Sequence, residues 1–144
     1  MTCRLFAIAA MMSLTASQAA SQQSDAARFL LEEQIVQACG GVPGEMDPTG
    51  FIEQDLTGDG RDDLIISHEM IQCEDRQPRG TRSQFCGMQV CTVLIYVRQG
   101  DLLVLEEEFL GGGVTLGPTR VPVIRGYAHG GDTWTIRWDG SRFR

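Results

Sequence analysis

Asp55-Leu56-Thr57-Gly58-Asp59-Gly60-Arg61-Asp62-Asp63-Leu64-Ile65-Ile66 is the stretch from which the fold can be read. Acidic side chains stand at its first, fifth and ninth positions, glycine at its fourth and sixth, and an apolar run follows at once. Asp and Gly together turn a chain tightly, because Asp hydrogen-bonds its own backbone and Gly accepts left-handed angles. The flanks, Phe51 to Leu56 and Leu64 to Ile71, read as two strands joined by this acidic loop.

The chain beyond the loop keeps its β character. Val90 to Val97 is a strongly β-prone run, Gln99-Gly100-Asp101 a turn, and Leu102 to Phe109 its hairpin partner. Gly111-Gly112-Gly113 breaks the chain; with neither Lys nor a following helix it reads as a flexible connector, not a phosphate loop. Val114 to Leu116 is a short strand, and Val121 to Ala128 another, with Pro122 marking a start or an edge. Trp134, Ile136 and Trp138 alternate with Thr133, Thr135 and Arg137, so one face is buried and one is wet. That alternation makes the two tryptophans core residues in preference to a sugar-stacking platform. Asp139-Gly140 is a hairpin turn and Phe143 ends the returning segment. Cys73 to Met88, with Pro78 and Gly80, is a long surface loop.

Upstream, Asp25 can cap a helix whose apolar positions are Ala26, Phe29, Leu30, Ile35 and Ala38. Gly40-Gly41 and Pro43 stop it, and Val42 to Thr49 is a linker. The expected class is therefore α+β: an N-terminal helix packed on a single antiparallel sheet, flat or curled, of five to seven strands. The layout is a signal peptide over 1–20, helix and linker over 21–49 and a β-rich region over 50–144, the last two forming one globular unit.

The 144 residues suffice for one domain with a modest core. Formal net charge is −7, and all twelve basic residues are Arg. Nucleic-acid binding wants a basic face, and an anionic membrane surface wants a polybasic anchor, so neither is expected. Arg4 precedes an apolar run from Leu5 to Leu14, and Ser17 and Ala19 supply small residues for cleavage near Ala19-Ala20. This is the layout of a secretory signal, too short for a comfortable span, and it implies a mature chain of about 125 residues with no membrane span. The address is periplasmic or secreted. Four cysteines remain after the signal, Cys39, Cys73, Cys86 and Cys91, and in an exported chain they imply disulfides. Cys39–Cys73 with Cys86–Cys91 is the favoured pairing, and Cys73–Cys86 is the alternative that would pin the long loop. A four-cysteine zinc site fits poorly, as there is no C-x-x-C pair.

The acidic loop supports two readings. As a calcium site, Asp55, Thr57, Asp59 and Asp63 would offer side-chain oxygens and Arg61 its backbone carbonyl, with Gly60 at the sharp turn. Thr57 is a weak ligand, and Ile66 stands where an EF-hand has its bidentate Glu, so the expected affinity is roughly 10⁻⁴ to 10⁻³ M. As a turn, the same residues need no metal, and Arg61 partly neutralises the cluster. Asp55 to Leu64 resembles the D-x-N-G-D-G-x-x-D-hydrophobic signature of FG-GAP/VCBS-type repeats, departing at Thr57. The resemblance implies calcium between two strands; the propeller of those repeats needs several blades, and this chain has one copy. More of the chain, roughly Phe51 to Arg144, resembles small exported proteobacterial proteins of unknown function. The shared features are the acidic loop, Phe85-Cys86-Gly87, Cys91 opening a strand and Trp138-Asp139-Gly140. That likeness implies a periplasmic address and no activity.

Other chemistry is sparse. His68 lies beside Glu69 in an expected strand, and His129 sits in a glycine-rich turn. Either could act as base and acid, yet no G-x-S-x-G or S-x-x-K accompanies them. Glu106-Glu107-Glu108 reads as a solvated edge that discourages sheet-to-sheet pairing, not as a glycosidase pair. The functional expectation is an exported, non-catalytic β-domain that binds an unknown protein or polysaccharide, with calcium as its candidate stabiliser and no other cofactor. The alternative is a periplasmic inhibitor of a secreted hydrolase, plugging a cleft with the Cys73–Cys91 loop. A small hydrolase built on Asp or Glu ranks third.

Overall fold

Ser24, not Asp25, caps the helix. Its Oγ accepts the Ala27 N–H at 3.2 Å and the Arg98 guanidinium at 2.9 Å, while its own N–H donates to Glu53 at 3.0 Å. The cap residue is thus also a tie to the sheet, and Asp25 is left in the first turn, ion-paired with Arg28. The computed structural model describes residues 23–75, 77–78 and 80–144; the expected signal peptide lies outside them. Helix α1 (Asp25–Cys39) buries Ala27, Leu31, Gln34 and Ala38, one helical stripe. Phe29, expected on that stripe, is instead 65% exposed. The helix ends where the Gly40 and Gly41 N–H groups cap the Gln37 and Val36 carbonyls.

The expected linker is partly ordered structure. Strand β1 (Gly44–Met46) pairs antiparallel with β4 (Ile71–Cys73), forming a small second sheet. Cys39 bonds Cys73 here, with Cα atoms 5.4 Å apart, and so locks the helix end to β4. The main sheet has six strands in the order β2-β3-β5-β6-β7-β8, all antiparallel. They are β2 (Phe51–Gln54), β3 (Asp63–Ser67), β5 (Cys91–Gln99), β6 (Leu102–Leu116), β7 (Ile124–Tyr127) and β8 (Thr133–Ile136). The expected α+β architecture is correct, with one helix packed on a curled, half-barrel sheet. The expected strand Leu64 to Ile71 does not run through: a 3₁₀ turn at His68–Met70 carries the chain off the main sheet into β4.

Both faces of the sheet are apolar, which is why β3 is buried at every position. Leu64, Ile66, Leu94 and Tyr96 face the helix at Ala27 and Leu31. Ile65, Val93, Ile95 and Val97 face the concave side, where Leu56, Ile124 and Phe143 complete the core. Trp134 and Trp138 are half-buried against that core as the alternation requires. Trp134 stacks edge-on to Phe109 and donates its indole N–H to the Tyr127 carbonyl at 2.9 Å.

The curl comes from the glycine triplet, which is not a flexible connector. Strand β6 is one continuous element of 15 residues, pairing with β5 up to Gly111 and with β7 from Gly112 onward. The register shifts between Gly112 and Thr115. Gly113 has φ +60°, and a Cβ on Gly111 would lie 2.9 Å from the Trp134 indole nitrogen. A Cβ on Gly112 would collide with the Tyr127 ring. These glycines let the strand bend while Trp134 and Tyr127 pack onto the bare backbone. Before the bend, Leu102 to Leu110 has β5 on one side only, and Glu106 and Glu108 stand exposed along that edge. This fits the role expected of the glutamates. Gly112→Ala should therefore cost about 2 to 3 kcal/mol by overpacking the corner. Urea unfolding checks it, and an unchanged midpoint would contradict a packed corner.

Candidate functional site

Three polar groupings could carry function: the acidic loop, the His68 network and a cleft at the open end of the curled sheet.

The acidic loop folds onto its own backbone. Asp55 Oδ1 accepts the Thr57 and Gly58 N–H groups at 3.2 and 2.6 Å, and Oδ2 accepts the Gly60 N–H at 2.8 Å. Asp59 turns outward to Arg61, taking its N–H at 2.9 Å and its guanidinium at 2.7 Å. The guanidinium contact holds the Asp59 carboxyl below its usual range. Asp63 is fully buried. Its Oδ2 accepts the Leu56 and Thr57 N–H groups at 2.8 and 3.2 Å, and its Oδ1 the Arg98 N–H at 2.8 Å. Burial nevertheless pushes Asp63 up, outweighing the three donors, and Asp59 adds to the rise.

Calcium calls for six to eight oxygens converging on one point. Here every oxygen of Asp55, Asp59 and Asp63 is engaged by an N–H donor. Among the described residues, no three His, Cys, Asp or Glu side chains gather as a metal centre. The expected set of Asp55, Thr57, Asp59, Asp63 and the Arg61 carbonyl is thus held here as a self-bonded turn, with its side chains not gathered on one point. Asp63→Ala should cost about 3 kcal/mol, because buried N–H groups would be left without partners. Chemical denaturation measures this, and a loss near zero would mean the carboxylate is dispensable.

His68 is not in a strand. It sits in the 3₁₀ turn, 1% exposed, in edge-on contact with Phe85. Its Nε2 meets Gln34 Oε1 at 3.0 Å and its Nδ1 meets Ser83 Oγ at 3.0 Å. Gln34 Nε2 in turn faces the Tyr96 hydroxyl at 3.4 Å, and the Phe85 N–H donates to Ser83 Oγ at 3.1 Å. The network closes if neutral His68 donates from Nε2 and accepts the Ser83 hydroxyl at Nδ1. Burial drives His68 down to about 4, and burial followed by the Glu33 and Glu108 charges drives Tyr96 up to about 12. Helix, turn, long loop and sheet are thereby joined by neutral groups. His129 lies exposed in the turn after β7, far from this network in sequence and bonded to none of it.

The sign of the His68 effect on stability follows from its depressed value. Between pH 6.5 and about 4 the unfolded chain binds more protons, so stability falls as pH falls through that window. The full loss is on the order of 3 kcal/mol. Wild type and His68→Gln should therefore approach each other in unfolding free energy as pH drops from 7 to 4. Parallel curves would contradict a buried neutral imidazole.

The third grouping was not legible as a site. Register places Asp63 at one end of β3 and Ser67 at the other, so the acidic loop closes one end of the half-barrel and Ser67 marks the opposite end. A cleft of about 220 Å³ opens there, lined by Gly50, Ile52, Ile65, Ser67, Glu69 and Val114 among others. Ser67 is 5% exposed, and its Oγ has no hydrogen-bond partner among the described residues. Glu69 is held by two donors: Gly113 donates its N–H to one carboxylate oxygen at 2.8 Å and Tyr127 its hydroxyl to the other. That bond to Glu69 raises the Tyr127 hydroxyl above its ordinary range. The glycine bend is what brings Gly113 and Tyr127 to Glu69. A Ser-x-Glu at the end of an apolar strand is the only sequence signal this site leaves.

The remaining expected site residues are paired cysteines. Cys86 bonds Cys91 across a five-residue separation, closing the turn that enters β5 and projecting Met88, 95% exposed. Two disulfides suit an oxidising, extracytoplasmic compartment. No helix among the described residues is long and apolar enough to cross a membrane. Compared with protein families, with curated proteins and with solved structures, the chain matches none.

Proposed function

We propose that this protein is a periplasmic or secreted, non-catalytic binding domain whose working surface is the cleft at the Ser67 end of the half-barrel. One observation carries the reading: a buried hydroxyl with no partner among the described residues belongs to the wall of an apolar cleft, beside an anchored carboxylate. Natural cores satisfy their buried polar groups, and binding clefts are concave and apolar with a few placed polar atoms. A non-catalytic role is supported by His68 being buried with both ring nitrogens engaged, by Gln34 and Ser83. The acidic loop serves the fold, its carboxylates being turned onto their own amides.

A second reading, inhibition of a secreted hydrolase, is favoured by the exposed Met88 on a loop closed by Cys86–Cys91. Fragment screening by amide-shift mapping on the oxidised protein separates the two. Hits should cluster on the Ser67, Glu69, Gly113 and Thr115 amides and be lost in Ser67→Val. Hits confined to Phe85 to Met88 would favour the inhibitor, and an absence of hits at the cleft would overturn the first reading.

A further inference from the structure

The cleft has a chemical preference, and the geometry points to an alkyl-linked cation, an ammonium or guanidinium group on a short apolar stem, as its ligand. This rests on the cleft being the binding surface and adds what it binds. Among the described lining residues Glu69 is the one charged side chain. An ionised carboxylate has about four acceptor positions and no donor. The Gly113 N–H and the Tyr127 hydroxyl take two of them, one on each carboxylate oxygen, fixing the group in place and leaving about two unfilled. Arg82, whose charge reaches Tyr127, directs its guanidinium to the Gly87 and Met88 carbonyls. The Ser67 hydroxyl, buried in the same wall and able to accept or donate, is compatible with a donor ligand. An ammonium or guanidinium offers only donors, so it complements both groups. A carboxylate or phosphate ligand would meet Glu69 head-on.

The stem is argued from the walls. Ile52, Ile65 and Val114 line the cleft with hydrocarbon, which suits methylene groups and not a sugar. At roughly 30 Å³ for each water-sized group, a space of about 220 Å³ takes about seven non-hydrogen atoms. That is the size of an arginine side chain, and a little more than that of a lysine. The net charge of −7 would draw a cation toward the surface. Two sources share this chemistry: a small free alkylamine or alkylguanidine, and the Arg or Lys side chain of a partner polypeptide.

The test is an amide-shift titration of the oxidised protein with n-butylguanidinium, n-butylammonium, n-pentanol and n-pentanoate. The cations should shift Ser67, Glu69 and Gly113 saturably and bind about tenfold more tightly than n-pentanol, the ratio expected of a charge-assisted bond. Glu69→Gln should remove that advantage, and Ser67→Ala should weaken the cations severalfold while leaving the thermal midpoint in place. Nα-acetyl-arginine N-methylamide distinguishes the sources: binding at least as tight as n-butylguanidinium assigns a side chain, and exclusion assigns a free cation. If n-pentanol or n-pentanoate matches the cations, or Glu69→Gln binds them unchanged, the cation assignment fails while the cleft survives as a binding surface. If no probe shifts those amides, both fall.

Discussion

The carboxylate of Asp63 is the constraint on which the rest of this structure depends. It is buried in a region that disfavours charge, and it is held there by three backbone N–H groups from Leu56, Thr57 and Arg98. Those bonds fold the acidic loop back over the sheet and carry Leu56 into the concave core. They also fix the end of β5, from which the Arg98 guanidinium reaches Glu53, the Asp62 carbonyl and Ser24. Ser24 is the helix cap. One short acidic loop thus sets where the helix starts, how β2 and β3 are joined and how one end of the half-barrel is sealed. The burial that raises the Asp63 carboxyl is offset by donors placed with the geometry of a turn.

The opposite end is shaped by absence of side chain. Three glycines bend β6 so that β7 and β8 fold over the concave core, and Trp134 and Tyr127 lie on the bare backbone. The same bend delivers Gly113 and Tyr127 to Glu69, beside the buried Ser67. A sheet curled without closing leaves a mouth, and mouths of such sheets are where small ligands enter. Closure by Asp63 and opening at Ser67 are therefore two consequences of one topology. The disulfide Cys39–Cys73 ties the second sheet to the end of the helix.

Much of this could be read from residue order. Alternation in Thr133 to Trp138, the β-prone run at Val90 and the Asp-Gly turns are local signals, and local signals survive folding. The features that escaped are those in which a tertiary contact overrides a local rule. Asp25 looks like a cap, but Ser24 is better placed because it can also bond Glu53 and Arg98. Leu64 to Ile71 looks like one strand, but His68 finds Gln34 and Ser83 only by leaving the sheet. Gly111 to Gly113 looks like slack, since nothing in its spacing announces that Trp134 and Tyr127 will cover it. Calcium was legible as a candidate because spacing describes which oxygens are present; it cannot say that amides will claim them. The Ser67–Glu69 cleft left almost no trace, for the strand end and 3₁₀ turn that carry Ser67 and Glu69 are completed by a glycine bend more than forty residues away in the chain.

The most direct test of the role given to Asp63 is hydrogen exchange at the Leu56, Thr57 and Arg98 amides, followed in chelator and in millimolar calcium. If the carboxylate itself closes the loop, these three amides will exchange only through global unfolding, equally slowly in both conditions. Fast exchange in chelator that becomes slow only with calcium would show that a metal, and not the buried carboxylate with its amide donors, holds this end of the fold together.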